Sequence, residues 1–214
     1  MPADALALFE ASLTRTERKV VNRLKTPAQI QAYLDDLPYR TEDRYCCPLT
    51  VLRDQRAHCF DGALFAAAML RRLGYPPLLV DLSAERDDDH ILAIYKNDGH
   101  YGALAKSNFV GLRYREPIYR SLRELVMSYF EDYYNLEGMK SLRRYSLPLN
   151  LKAFDRFHWM TSDEHLDKIA ERLNAIHHIP LLTPQMVARL SPLDKRSYEA
   201  GMLGTDMAGV YQPE

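Results

Sequence analysis

Apolar residues recur at helical spacing over residues 4–24 and predict a helix there. They are Leu6, Phe9, Leu13, Val20, Val21 and Leu24. A second helix is predicted from Thr26, which can cap it, with Pro27 at the first helical position and Gln29 placed to complete a capping box. This helix should run to about Leu37, because the next residue is a proline.

A nearly continuous apolar segment lies near the middle of the chain. Residues 38–57 show little periodicity and predict a long connection, after which every residue of Ala63–Leu70 is apolar. A helix with almost no polar face belongs in the centre of a fold. Gly74 can adopt the left-handed conformation that ends a helix, and the following Pro76 and Pro77 prevent its continuation.

Two strands and a hairpin are predicted after this helix. The apolar runs Leu78–Leu82 and His90–Tyr95 are typical of strands. The sequence Asn97-Asp98-Gly99 favours a tight turn and predicts a third strand over His100–Ser107. If Asp98 and Gly99 form the loop, the register continues until Ser107 faces His90; a β-bulge near Lys106 would bring Asn108 there instead.

Weaker patterns fill the rest of the chain. They predict a helix near Ser121–Tyr134, a strand near Tyr145–Leu151 and a helix near Asp163–Ala175. Residues 201–214 look irregular and are expected over the surface or frayed. Helices come first, then a central helix, then strands, which favours one α+β domain over residues 1–214 rather than a doubly wound parallel sheet.

Composition limits the classes of function. The 214 residues are 47% apolar and 27% charged with a formal net charge of -1, so the chain is globular and lacks the basic excess of nucleic-acid binders. The first residues lack a signal-peptide pattern, and no apolar run is long enough for a membrane span. Three cysteines form no disulfide framework, which predicts a cytoplasmic protein.

Cys59 and His90 are the residues best placed for chemistry. Cys59 opens the buried helix, where free N–H groups and the helix dipole favour a thiolate with a pKa below its usual value. His90 opens a strand and suits proton transfer near neutral pH. A helix-start cysteine is more often a small buried apolar residue, so it is the combination that suggests nucleophilic catalysis.

Residues 55–110 resemble the core of the transglutaminase-like superfamily, which has the papain-like cysteine protease fold. The resemblance rests on "HCFDGALFAAAMLRRLGYPPLLVDL" followed by "DDDHILAIY". It implies a central helix packed on an antiparallel sheet, with Cys59 as nucleophile and His90 as base. Asn108, or Ser107 in its place, would be the third member of the triad.

The sequence departs from the family pattern at two positions. Leu92 stands where an aromatic residue often follows the histidine, and Lys106 falls near the usual third member, where it cannot orient an imidazolium. Gln55 is a weak candidate for an oxyanion donor and is more simply a loop residue. The acidic turn before His90 (Asp87–Asp89) lacks the spacing of a metal site, so no metal or cofactor is predicted.

The resemblance implies acyl transfer on a peptide or amide-bearing substrate through a Cys-His-Asn type triad, with water favoured over an amine as acceptor. One alternative is a catalytically lapsed member that binds peptides. Another is a helical interaction protein that works through residues 1–37 and 121–177. Neither nucleic acid nor membrane is an expected partner.

Overall fold

A computed structural model describes residues 5–42 and 44–211. The α-helices among them are α1 Ala5–Ser12, α2 Arg15–Val21, α3 Pro27–Asp36, α4 Pro48–Asp54, α5 Cys59–Arg72, α6 Leu122–Met127, α7 Asp167–Ala175, α8 Pro184–Val187 and α9 Lys195–Gly201. The strands are β1 Leu78–Ala84, β2 His90–Asn97, β3 His100–Leu104, β4 Arg115–Tyr119, β5 Leu142–Ser146, β6 Leu149–Asn150 and β7 His178–Pro180. Short 3-10 helices cover Phe130–Asp132, Leu151–Phe157 and Met207–Gly209.

The strands form one antiparallel sheet in the order β4-β3-β2-β1-β5-β7, with β6 also paired to β1. Helix α5 packs on one face of this sheet, against residues that include Ile91, Ala93 and Tyr95. The opposite face holds a second apolar cluster, in which Leu82, Leu92 and Tyr133 are buried. The α+β class and the central helix on an antiparallel sheet, both predicted from sequence, are confirmed.

Helix α5 is the best-predicted element. All residues from Phe60 to Leu70 are buried, as expected for a segment with almost no polar face. Gly74 ends it with a φ of 91°, a conformation that costs glycine little. His58 caps its start, because the ring Nδ1 accepts hydrogen bonds from the main-chain N–H groups of Phe60 and Asp61 at 3.1 and 3.4 Å.

The amino-terminal helices differ in detail from the prediction. The single helix expected over residues 4–24 is two helices, because Thr14 and Glu17 form a capping box that starts α2. Thr26 caps α3 as predicted. Gln29 accepts a hydrogen bond from the Lys25 main chain at 2.8 Å, one residue earlier than a capping box requires.

The expected long connection over residues 38–57 contains helix α4. Its signal is Pro48 at the first helical position, preceded by Cys47, whose thiol accepts from the Thr50 N–H at 3.4 Å. Sulfur is an unusual helix cap, so the residue types at this position did not predict a helix. None of the helices in the described ranges is long and apolar enough to cross a membrane.

The hairpin register is confirmed, but its extension is wrong. Asn97 pairs with His100, and the ladder continues to Ala93 opposite Leu104, where β3 ends. His90 therefore has no partner on β3 in the described sheet, and the predicted placement of Ser107 opposite it fails. Across β1, His90 instead faces Leu82.

Lys106 explains why the chain leaves the sheet at this point. Its ammonium group donates hydrogen bonds to the main-chain oxygens of Leu34 (2.9 Å) and Leu37 at the end of α3. The lysine stem runs so close to Gly62 of α5 that a Cβ at Gly62 would collide with the Lys106 Cβ. This long-range contact replaces the regular strand expected through Ser107.

The carboxyl-terminal third is only partly as expected. Helix α6 and the 3-10 turn Phe130–Asp132 lie within the helix expected near Ser121–Tyr134, while β5 and β6 overlap the predicted strand. Helix α7 begins four residues after the predicted Asp163. Strands β4 and β7 and helices α8 and α9 were not predicted. Of the residues expected to be irregular, 201–211 are described and 212–214 lie outside the described residues.

Candidate functional site

The four predicted site residues line one cavity of about 370 Å³. Cys59 enters it from the start of α5 and His90 from the start of β2, while Ser107 and Asn108 come from the segment after β3. The cavity is also lined by acidic residues, by aromatic residues and by part of the carboxyl-terminal chain. These include Glu42, Asp87, Asp88, Asp89, Tyr39, Phe109, Tyr133, Tyr134 and residues 208–211.

Residue Cys59 is partly exposed, and its thiol lies 4.0 Å from the main-chain oxygen of Asp89. Burial by the surrounding protein, followed by the negative charge of Asp88, raises the pKa of Cys59 to about 12. The helix start thus fails to produce the lowered pKa expected from sequence. Asp61, inside the first turn of α5, adds to the negative surroundings.

The ring of His90 is buried and bonded to main chain. Its Nε2 lies 2.8 Å from the carbonyl oxygen of Leu112. Because a carbonyl oxygen only accepts, Nε2 carries the proton and a neutral ring has its lone pair at Nδ1. Burial lowers the pKa of His90 to about 4, although the hydrogen bond to the Leu112 carbonyl opposes this shift, and the positive charge of Arg115 contributes to it. The ring is therefore neutral at physiological pH.

Sheet register places His90 on the face away from α5. His90 lies opposite Leu82, and directly opposed residues of antiparallel strands project to the same side. Leu82 belongs to the apolar cluster on the face remote from α5. Among the described residues, the Cys59 thiol makes no hydrogen bond to the His90 ring. The structure brings the two residues to one cavity without joining them as a pair.

Asn108 and Ser107 make contacts other than the predicted ones. The Asn108 side chain donates to the main-chain oxygens of Asp206 (2.8 Å) and Gly209 (3.3 Å) and accepts from the Asp206 N–H at 2.9 Å. The Ser107 hydroxyl accepts from the Phe109 N–H at 2.9 Å. In this structure the partner of His90 is the Leu112 carbonyl, and a catalytic role for Asn108 or Ser107 stays a prediction.

Tyr39 is a site residue that sequence reasoning missed. It lines the same cavity as Cys59, and the thiol and main chain of Cys59 lie close enough to affect the pKa of the Tyr39 hydroxyl. A bridge between Tyr39 and Ala57 holds the two segments side by side. Burial and the negative charges that Cys59 and Asp88 can carry raise the pKa of Tyr39, so it remains a hydrogen-bond donor. An isolated tyrosine after a proline carries no signal of this role.

Gln55, the weak oxyanion candidate, lies elsewhere. Its side-chain amide donates to the Tyr33 hydroxyl at 2.7 Å, and its left-handed backbone (φ 54°) ends α4. The aromatic residues after α6 are buried as packing residues, and Tyr133 also donates to the Asp88 main-chain oxygen at 2.6 Å. Tyr133 thereby holds the acidic turn against the second apolar cluster.

The acidic turn itself is not arranged for a metal. Asp89 accepts from the Ala84 N–H at 2.8 Å, and burial raises the pKa of Asp87 to about 6. Within the described ranges, no group of three or more His, Cys, Asp or Glu residues is arranged to hold a metal ion.

Comparisons with known proteins yield distant structural similarity only. Two structures of Legionella pneumophila LapG, one of them EGTA-treated, resemble the chain at 14% identity. Their TM-scores are 0.36 and 0.35, and the aligned region covers 48% of this chain and 70% or 68% of LapG. No family model matches the chain, and no curated protein matches its sequence.

Proposed function

We propose that the cavity is the active site for thiol-dependent acyl transfer on peptide or amide substrates, with hydrolysis favoured over transfer to an amine. The observation that carries the proposal is the convergence of Cys59, His90 and Tyr39 on one cavity at the start of a buried helix. A nucleophile, a neutral base and a hydroxyl donor are the groups that acyl transfer requires.

The neutral states of both residues favour general-base catalysis over a preformed thiolate–imidazolium pair. The Cys59 thiol attacks the substrate carbonyl carbon while His90 Nδ1 takes the thiol proton. The tetrahedral oxyanion accepts hydrogen bonds from the Tyr39 hydroxyl and the main chain at the start of α5. His90 then protonates the leaving amine, and a thioester remains. Water then attacks the thioester carbonyl and gives a proton to His90. The carboxylic acid is released, and His90 passes the proton to the Cys59 sulfur, which restores the thiol.

This chemistry requires the imidazole to come within hydrogen-bonding reach of the thiol. Catalytic hydrogen bonds commonly tighten only when substrate is bound. Rotation of the His90 ring away from Leu112 would release Nε2 and move the base toward the cavity, at the cost of one hydrogen bond to main chain. Substrate binding must offset that cost.

The test is covalent trapping at Cys59 with a library of amide and ester electrophiles, read by mass spectrometry of the Cys59 peptide. We expect adducts at Cys59, with Cys46 and Cys47 unmodified because both are buried. His90→Gln should slow acylation by about 100-fold or more, since general-base catalysis supplies that much. Acylation that proceeds equally fast in His90→Gln would contradict the proposed base.

A second candidate is a peptide-binding module without chemistry, as in the lapsed alternative. It is favoured by the raised pKa of Cys59 and by the hydrogen bond that holds His90 to Leu112. A module of this kind binds peptide with the same affinity in Cys59→Ser, and yields no acyl adduct in the trapping experiment.

The pH dependence of simple alkylation checks the thiol directly. With a pKa near 12, the thiolate fraction of Cys59 rises about tenfold per pH unit throughout the range from 7 to 9.5. The rate of reaction with iodoacetamide should therefore increase without a plateau in that range. A plateau in the rate above pH 8.5 would instead support the lowered thiol pKa that the helix-start position predicts.

A further inference from the structure

The carboxyl-terminal residues 205–211, called here the strap, lie across the cavity that contains Cys59. Residues 208–211 supply part of its wall. Asp206 and Gly209 are both held by the Asn108 side chain, and the Thr205 hydroxyl donates to the Asn108 main-chain oxygen at 3.2 Å. The strap thus uses the amide that sequence analysis assigned to His90.

The Asn108 side chain binds main-chain groups of the strap. One side-chain amide donates to two carbonyl oxygens and accepts from one N–H of the strap. These groups belong to the peptide backbone, which every polypeptide carries. Recognition at Asn108 therefore depends on the shape of the bound chain more than on its side chains.

Gly209 defines the shape that fits. A Cβ at this position would lie 2.9 and 3.0 Å from two ring carbons of Tyr39 and 3.2 Å from the Thr41 methyl group. Contacts that short force a shift of the neighbouring groups. The groove between Tyr39, Thr41 and Asn108 therefore accepts a backbone with glycine at its narrowest point.

Of the apolar side chains of the strap, that of Val210 is half-buried and the others are exposed. Leu203 just before the strap, Met207 within it and Tyr211 at its described end are exposed by 76%, 55% and 39%. Hydrophobic burial contributes little to holding it, so polar contacts with the groove dominate. Another polypeptide that offers the same main-chain groups can replace these contacts.

We propose that the groove of Tyr39, Thr41 and Asn108 is a binding site for polypeptide main chain with glycine at the constriction, and that the strap occupies it in cis. The strap restricts access to Cys59, and a polypeptide ligand that displaces it takes its place beside the thiol. The proposal requires only that Cys59 lie beside the groove, so it stands or falls independently of whether Cys59 is catalytic.

The experiment measures alkylation of Cys59 by iodoacetamide in the full chain. Gly209→Val should displace the strap and raise the rate about tenfold, the shift that follows from the loss of one or two hydrogen bonds. Leu203→Val is the matched control, because it introduces the same residue at an exposed side chain just before the strap. Its rate should equal that of the parent protein.

A synthetic peptide of residues 204–211, added to the Gly209→Val protein, should bind the vacated groove and return the rate to the parent value. The same peptide carrying the Gly209→Val substitution should not protect Cys59. An unchanged rate in Gly209→Val, or equal protection by both peptides, would overturn the proposal.

Cys46 and Cys47 distinguish strap opening from unfolding. Both are buried, so they stay protected if only the strap moves and react if the domain unfolds. If all three cysteines react in Gly209→Val, the Thr205→Val variant provides the test of strap opening, since it removes a single hydrogen bond of the strap. We expect it to raise the Cys59 rate alone by a few-fold; no change at Cys59 would then overturn the proposal.

Discussion

Two histidines lie near the central strands in environments that give the same side chain different properties. His90 is bonded to the neutral Leu112 carbonyl on the sheet face remote from α5. His178 of β7 has Nε2 2.8 Å from the Asp81 carboxylate and Nδ1 2.8 Å from the Ile176 carbonyl. Both rings contact a main-chain carbonyl oxygen, but the ring of His178 also contacts a buried carboxylate.

The Asp81–His178 pair was not foreseen, although its carboxylate is more deeply buried than most groups in the candidate site. Asp81 is 2% exposed, and one of its oxygens, Oδ1, has no hydrogen-bond partner in the described structure. Burial raises the pKa of this carboxyl, and Asp89 raises it further. The pair joins β1 to β7 across β5, and we assign it no part in acyl transfer.

The largest expected difference between the two histidines is in acid stability. The pKa of His90 is about 4 in the folded protein and 6.5 when unfolded, so the unfolded chain binds the proton first and stability falls as pH drops from 6.5 to 4. The loss amounts to about 3 kcal/mol relative to His90→Gln, which has no such group. Urea unfolding of both proteins at pH 7, 5.5 and 4.5 measures it.

Comparison with the variant removes the opposing effects of buried carboxyls. Burial raises the pKa of Asp61 to about 7 and that of Asp87 to about 6, and stability from these groups is lost as pH rises. They contribute equally to the parent and to His90→Gln, so they cancel in the difference. Parallel stability curves for the two proteins would show that His90 is not held neutral.

A smaller effect is expected from breaking the Asp81–His178 pair. Asp81→Ala and His178→Ala should each destabilise the protein at pH 7, and a double-mutant cycle should give a coupling of about 1 to 2 kcal/mol, within the range for residues in direct contact. Chemical denaturation of the four proteins checks this. Additivity of the two single effects would mean that the pair contributes no net stability.

The smallest effect is expected at Tyr133, whose ring contacts His90 with 6.5 Å between centroids. Tyr133→Phe removes the hydrogen bond to the Asp88 main chain and should cost about 1 kcal/mol, because the carbonyl loses a buried donor. Tyr134→Phe is the control, since within the described residues its hydroxyl donates one long hydrogen bond of 3.3 Å, to the main-chain oxygen of Tyr198. Equal losses of unfolding free energy in the two variants would deny Tyr133 a special role in holding the acidic turn.

Local patterns predicted the parts of the fold whose causes are local. Helix α5 follows from an apolar run with a glycine stop, and the hairpin from Asp98 and Gly99, which both adopt positive φ. Strand β7 has only three residues, and α4 uses a thiol cap. Segments so short or so unusual carry no periodic signal.

The candidate site also shows that local sequence patterns predict only features with local causes. The positions of Cys59 and His90 at one cavity could be inferred from the order of helix and strands. The side of the sheet on which His90 projects depends on pairing with β1, and the partner of Asn108 lies about a hundred residues further along the chain. Contacts of that range leave no mark in the local sequence, so neither the Leu112 carbonyl nor the strap was foreseen.

The contact between Gly62 and Lys106 restricts how this fold can diverge. Any side chain at position 62 would displace the lysine stem, and without the lysine the carbonyls of Leu34 and Leu37 lose their donor. A single substitution at either position is thus costly, whereas a joint one can exchange a glycine and a long cation for two side chains that share the space. In an alignment of chains with this fold, the two columns should covary, and the pair would report the distance between the helix and the end of the third strand.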